Sequence, residues 1–261
     1  MKQKYNKYVL SGIIIIGLLF LLNEQFTIIE YFTSINIQMY VISLKHDDRL
    51  ENIKKQENKI NKKITIFDAI KGDQLNIDQT FENGTIDEKY KNATKQRKRV
   101  IACYMSHLNL LKEIKINNIK DSKYSIIFED DFDIVIPNFL DEVKNILDKL
   151  DKKKLNFDMI FLGNLNNNKG DNVIDNIYEM DKNEHLWGTH SYIVNNNNID
   201  KILDEIKLID MPIDNKYEKL GKNKNLKIYV INPTIVNQSN NKLPSNINEL
   251  SIETFSNMRY I

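Results

Sequence analysis

"SIIFEDDFDI", residues 125–134, decides how this chain is to be read. Ser125–Phe128 is apolar enough for a buried strand, and Glu129, Asp130, Asp131 and Asp133 then crowd four carboxylates into five positions. Like charges so close repel one another at neutral pH. In extended backbone the side chains alternate, so a continuing strand points Glu129, Asp131 and Asp133 to one face and Asp130 to the other. Two carboxylates at i and i+2 on one face grip a hard divalent cation, and oxygen-only ligands suit Mg2+ or Mn2+ rather than zinc. The carboxyl end of a strand in an open α/β sheet is where such folds bind substrates. A solvated acidic turn that simply ends the strand accounts for the same residues.

The surrounding pattern supports an α/β sheet. Gln38–Leu44 reads as a buried strand, Asp47–Ile60 as a polar helix, and Ile64–Phe67 as a second strand ending at a turn with Gly72 and Asp73. From Gln96 the apolar positions Ile101, Tyr104, Leu108, Leu111 and Ile114 recur at helical spacing. A helix over Asn138–Leu150 follows Pro137. Met159–Leu162, Ser191–Val194 and Lys227–Val230 read as strands, Ile199–Ile206 as a helix, and "NLNNNKGDN" as loop. Strands and helices alternate, which predicts an α/β sandwich with a largely parallel sheet.

With 261 residues and 41% hydrophobic residues the chain has enough apolar mass for one core of ordinary size. A net charge of +1 makes no case for nucleic-acid binding. Cys103 is the only cysteine, so no intrachain disulfide forms. Lys2, Lys4 and Lys7 precede the uncharged run Val9–Leu22, which reads as an uncleaved signal-anchor with the N-terminus cytoplasmic. A cleaved signal peptide and a buried core segment are the other readings of that run. The expected organisation is a tip, anchor and stem over 1–36, a catalytic domain over 37–240, and a polar tail over 241–261.

Arg97, Lys98 and Arg99 stand at the start of the helix that carries Ser106 and His107. Cations there oppose the helix dipole and are better tolerated beside an anion, while a helix N-terminus itself attracts phosphate. Solvation of the three side chains explains them equally well. With the carboxylate cluster, they suggest a metal-bridged diphosphate.

Seven blocks carry a family resemblance in order: "YVISLKHDDRL" (40–50), "FDAIKG" (67–72), "ACYMSHLNLLKEI" (102–114), "IIFEDD" (126–131), "GTHSYIV" (188–194), "MPIDNKYEKL" (211–220) and "NPTIVNQS" (232–239). Together they resemble glycosyltransferase family 25, the lipooligosaccharide and collagen galactosyltransferase-type enzymes. The resemblance implies an A-type glycosyltransferase fold, with a Rossmann-like, mostly parallel sheet flanked by helices. It also implies transfer of a hexose, often galactose, from a UDP-sugar to a glycan or glycoprotein hydroxyl, with Mn2+ (or Mg2+) and inversion of the anomeric centre.

By the same resemblance, Glu129 and Asp131 would hold the metal. Ser43, Arg49 and Asp68 match positions near the nucleotide, and Ser106 and His107 lie on a helix face that would look toward the donor. Ordinary strand-end polarity explains the first three as well, and a hydrogen-bonded core role explains His107. Asp214 is the candidate general base, with Asp130 the second catalytic candidate; a helix N-cap is the alternative role for Asp214. Trp187 and Tyr192 would stack a sugar or uracil or pack in the core. Two rival functions stay open at this point: a metal-dependent phosphoester hydrolase, and a non-catalytic, membrane-anchored binding module. With an N-in anchor the catalytic domain is a single-pass type II lumenal domain of the endoplasmic reticulum or Golgi in a eukaryotic host.

Overall fold

A computed structural model describes residues 36–118 and 122–239. Strand β1 (Ile37–Ser43) leads through helix α1 (Asp47–Ile60) to β2 (Thr65–Asp68). Helices α2 (Ile77–Glu82) and α3 (Lys95–Asn118) precede β3 (Tyr124–Glu129) and β4 (Phe132–Ile134). Helix α4 (Phe139–Lys152) and β5 (Met159–Phe161) are followed by a hairpin, β6 (Asn172–Ile174) and β7 (Ile177–Glu179). The chain closes with β8 (Ser191–Asn195), α5 (Ile199–Ile206), α6 (Ile213–Lys222), β9 (Ile228–Ile231) and β10 (Val236–Gln238).

The local causes are plain. Helix α1 carries Asp47 and Asp48 in its first turn and Lys59 in its last, which complements the helix dipole, and it stops where Asn61 turns left-handed at φ 49°. Asn76 caps α2 by accepting the Gln79 N–H at 3.1 Å. Strands β3, β8 and β9 are short runs rich in β-branched and aromatic residues and are almost wholly buried, as strands covered on both faces must be.

Eight strands form the central sheet in the order β2-β1-β3-β8-β5-β9-β7-β6, and β4 pairs with β10 in a separate ribbon. β2, β1 and β3 are mutually parallel, as are β5 and β9, while β8 runs against both β3 and β5. β7 also runs against β9, and β6 against β7. The expected α/β class holds, but the sheet is mixed. A strand entered from a returning loop rather than a helical crossover can pair antiparallel, and β8 does so in the middle of the sheet.

One sheet face, with Tyr40, Ile42, Ile127, Phe161 and Tyr192, packs on α3, α5 and α6 through Tyr104, Leu108, Ile202 and Tyr217. On the other face Phe128 stacks on Phe132 at 4.3 Å and meets Phe139 of α4 at 6.1 Å between ring centroids. Each such fully buried side chain contributes roughly 1.5–3 kcal/mol of transfer free energy.

The register positions the site. Ser43 lies opposite Asp68, and Ile42 opposite Glu129, so the carboxyl ends of β1, β2 and β3 fall together at one edge. The expected anchor at Val9–Leu22 and the tail over 241–261 lie outside the described residues. Among the described residues no helix is long and apolar enough to cross a membrane.

Candidate active site

The acidic run does not continue as one strand. β3 ends at Glu129, Asp130 and Asp131 form a turn, and β4 resumes at Phe132. The turn resets the alternation, so Glu129, Asp131 and Asp133 do not share a face as expected. Instead Nη1 of Arg49 stands 3.3 Å from Oδ1 of Asp130 and 3.3 Å from Oδ2 of Asp131. Arg49 is 2% exposed, so the positive group at this strand end is in part the chain's own.

Arg49 is the first residue of a polar stripe along α1. Three positions on, the Asn52 amide donates to the carbonyls of Asp130 and Phe132 at 3.0 and 2.9 Å. Gln56, fully buried, donates to Asp133 Oδ1 at 3.0 Å and accepts the Ile134 N–H at 3.1 Å. Lys59 reaches Asp133 Oδ1 at 2.6 Å and draws it away from the other acids. Burial opposes ionisation of Asp133, but the Lys59 and Gln56 bonds outweigh it and hold its carboxyl below the usual range.

Asp130 is fully engaged. The Ser43 hydroxyl donates to Oδ2 at 2.7 Å, and Arg49 takes the other oxygen. Burial nevertheless pushes its pKa up. Asp131 accepts from the Gln238 amide at 2.9 Å through Oδ2, and its main-chain carbonyl accepts the Ser239 N–H at 2.7 Å. Its Oδ1 is buried without a hydrogen-bond partner. Burial, and then the Glu129 charge, push Asp131 up to about 6. Gln238 reaches it because β10 pairs with β4, placing Gln238 opposite Phe132.

Glu129 faces a different set of groups. Its Oε1 lies 3.3 Å from Nε2 of His107 and accepts a short bond from the Thr189 hydroxyl. His107 is buried, and its Nδ1 lies 2.8 Å from the Tyr192 hydroxyl. Burial disfavours the charged Glu129, but the bond and charge of His107, with Thr189, hold its carboxyl below the usual range. Sγ of Cys103, a ring nitrogen of His107 and a carboxylate oxygen of Glu129 lie within 4.8 Å of one another. The Cys103 thiol is pushed up by burial and then by the charges of Glu129, Asp214, Asp131 and Asp130.

Asp214 lies in the first turn of α6 rather than at its cap, which is Pro212. One oxygen accepts the Asn215 N–H at 2.9 Å, and the Gly188 N–H lies 3.5 Å from the other. Glu218, one turn further along α6, holds the same loop. It accepts the Leu186 N–H at 2.9 Å and lies 3.0 Å from His185 Nδ1 and 2.7 Å from Lys222.

At the carboxyl end of a mixed sheet, Glu129 thus meets α3 through His107, while Asp130 and Asp131 of the following turn meet Arg49 of α1. Against known families, the model of glycosyltransferase family 25, described as LPS biosynthesis protein, matches residues 36–217. The chain belongs to that family. It is a glycosyltransferase. No curated protein matches it.

For this family 25 enzyme, the structure joins Ser43, Arg49, Asp130 and Asp131 into one network and His107 with Glu129 into another. Asp68 takes no part in either: its carboxylate is exposed and paired with Lys45. Ser106 is spent internally, donating to the Ala102 carbonyl at 2.7 Å and accepting the Ile70 N–H at 2.9 Å. Tyr192 is a core ring, stacked between His107 and Phe161. Trp187 is half-buried and stacked on His185. The basic residues Arg97, Lys98 and Arg99 fall inside the first turns of α3, where Arg99 and Lys95 pair with Asp73.

Sequence reasoning assigned no role to Asn52, Gln56, Lys59, Thr189 or Gln238. The first three repeat from Arg49 at helical spacing, a signal present in the chain. Gln238 lies in the seventh block of the resemblance, and the fold brings it to Asp131.

Proposed function

We propose that the enzyme transfers a hexose, galactose by first expectation, from a UDP-sugar to a glycan hydroxyl with inversion, assisted by Mn2+ or Mg2+. The single observation that carries the reading is the charge imbalance at the β3 end. Asp130 and Asp131 share one buried guanidinium, Glu129 immediately precedes them on His107 and Thr189, and the Asp131 Oδ1 is an orphaned acceptor. These residues fit a hard divalent ion. Asp131 and Glu129 would hold it through oxygen, and it would neutralise charge developing on the departing diphosphate.

The chain's own groups supply the rest. Arg49 and Gln238 fix Asp131, and Ser43 and Arg49 fix Asp130, which gives Asp130 a positioning role rather than one in proton transfer. Asp214 accepts the proton of the acceptor hydroxyl as its oxygen bonds the anomeric carbon, and the bond to the diphosphate oxygen breaks with its electron pair. The backbone N–H groups of Asn215 and Gly188 hold Asp214 in the orientation that step needs.

The sheet, with its nucleotide-side strands parallel and one antiparallel strand inserted, supports the A-type glycosyltransferase fold. The family's description in LPS biosynthesis favours a lipopolysaccharide-type glycan as acceptor. The lysines ahead of the apolar Val9–Leu22 run support a single-pass membrane tether.

The test is a donor screen that follows UDP release from each UDP-sugar with and without Mn2+. Release from UDP-galactose that depends on acceptor and Mn2+ is expected. Equal turnover in the presence of a chelator would overturn the metal assignment, and release of free sugar without a transfer product would overturn the acceptor role.

A further inference from the structure

We propose that Cys103, His107 and Glu129 form a binding site for a borderline transition-metal cation of the Zn2+ or Co2+ type, which shares Glu129 with the proposed oxygen-only site and differs from it in donor chemistry. Cys103 and His107 are four residues apart on α3, so they project from one face of the helix, one turn apart. Glu129 ends β3 and meets them there. The three donor atoms lie within 4.8 Å of one another. In a tetrahedral zinc site with bonds of about 2.0–2.3 Å, donors stand roughly 3.5 Å apart, so small side-chain rotations close the set.

The surroundings already orient two of the three ligands. Tyr192 lies 2.8 Å from His107 Nδ1 and turns Nε2 toward Glu129. A phenol both accepts and donates, so it also serves the tautomer with hydrogen on Nδ1, which leaves Nε2 free for a metal. The Thr189 hydroxyl fixes the same Glu129 oxygen. Metal sites rely on outer hydrogen bonds of this kind to hold their ligands.

The donor set decides the metal. One sulfur, one imidazole nitrogen and one carboxylate oxygen suit zinc, cobalt or ferrous iron, whereas Mg2+ and Mn2+ prefer oxygen. The electrostatics agree: burial and nearby carboxylate charge hold the thiol protonated, and a bound dication reverses that effect by favouring the thiolate. Three protein ligands leave a fourth position open. The site is defined by binding alone and does not depend on the transfer reaction.

Because Cys103 is the only cysteine, the test is unambiguous. Titrating the full chain with Co2+ should raise a near-ultraviolet thiolate-to-cobalt charge-transfer band that saturates at a single Co2+ per chain. The band should vanish in Cys103→Ser and persist in Asp131→Asn, which leaves all three proposed donors in place. Thr189→Val should weaken Co2+ affinity by roughly 10-fold or more. On the wild-type chain, where no variant has to fold, saturating Zn2+ should slow iodoacetamide alkylation of Cys103 by about 10-fold or more. Absence of the band together with unchanged alkylation overturns the proposal, as does a band that survives Cys103→Ser in a folded variant.

Discussion

Nη1 of Arg49 stands 3.3 Å from Oδ2 of Asp131, and Arg49 is 2% exposed. The same nitrogen serves Asp130, so one guanidinium holds two carboxylates in a site that water barely reaches. Removing one partner of a buried ion pair costs about 3–5 kcal/mol, because the remaining charge stays buried and uncompensated. Arg49→Met is expected to lose that much stability at neutral pH. Burial pushes Asp131 from its ordinary 3.8 up to about 6 in the folded chain, so its ionisation opposes folding as pH rises. Arg49 offsets part of that opposition, and the deficit of Arg49→Met should shrink below pH about 6. Urea denaturation on both sides of that pH measures it; equal deficits would mean that Arg49 acts by packing.

Asp131→Asn separates stability from function. The Asn oxygen keeps the Gln238 and Arg49 contacts, while its amide replaces the orphaned Oδ1 and removes a charge that Glu129 repels. Metal-free melting temperature should therefore stay level or rise, while transfer falls by about 100-fold or more through lost electrostatic stabilisation. The Mn2+-plus-UDP rise in melting temperature should also disappear. Thermal scans with and without Mn2+ and UDP check both halves, and full turnover in the variant would remove Asp131 from the metal.

The strands were legible because β1, β3, β8 and β9 are buried runs with unmistakable composition, and α3 shows its apolar period. The mixed direction of β8 was not, because a run buried on both faces looks the same whichever way it pairs. The acids were visible as a cluster, but their sorting was hidden. That sorting depends on a two-residue turn at Asp130–Asp131 and on Arg49, Gln56 and Lys59 arriving from α1, with more than seventy residues of sequence between. Gln238 was visible within the seventh block, but its contact with Asp131 was not, since the two meet across 107 positions through the pairing of β10 with β4. Gly163 belongs to this group too. A Cβ there would stand 1.9 Å from the Val236 carbonyl oxygen, so the residue is glycine because β10 passes directly over it.

Asp214→Asn tests the general base. The residue sits in the first turn of α6 and not at its cap, so losing its charge removes only a dipole interaction of about 0.3–1 kcal/mol. Turnover, by contrast, should fall by about 100- to 10,000-fold if its carboxylate takes the acceptor proton. Donor binding, read as the UDP-dependent shift in melting temperature, should be preserved. A variant that melts far lower yet turns over normally would assign Asp214 to the fold.

Glu218 supports the loop that carries both Gly188, next to Asp214, and Thr189, bonded to Glu129. Its carboxylate is 12% exposed and receives Lys222, the Leu186 N–H and His185. Burial opposes its charge, but those partners outweigh burial and hold its pKa below the ordinary 4.5. A depressed acid contributes stability above its unfolded value and loses it as pH falls through the folded one. Glu218→Gln should therefore be less stable than wild type by about 1–3 kcal/mol at neutral pH. The gap should narrow as pH drops below 4.5, where the wild-type carboxylate also takes up a proton. Because the loop then loses its anchor, turnover should fall. A stability gap that stays constant across the acid range would show that the side chain acts by volume rather than charge, and the loop would need another support.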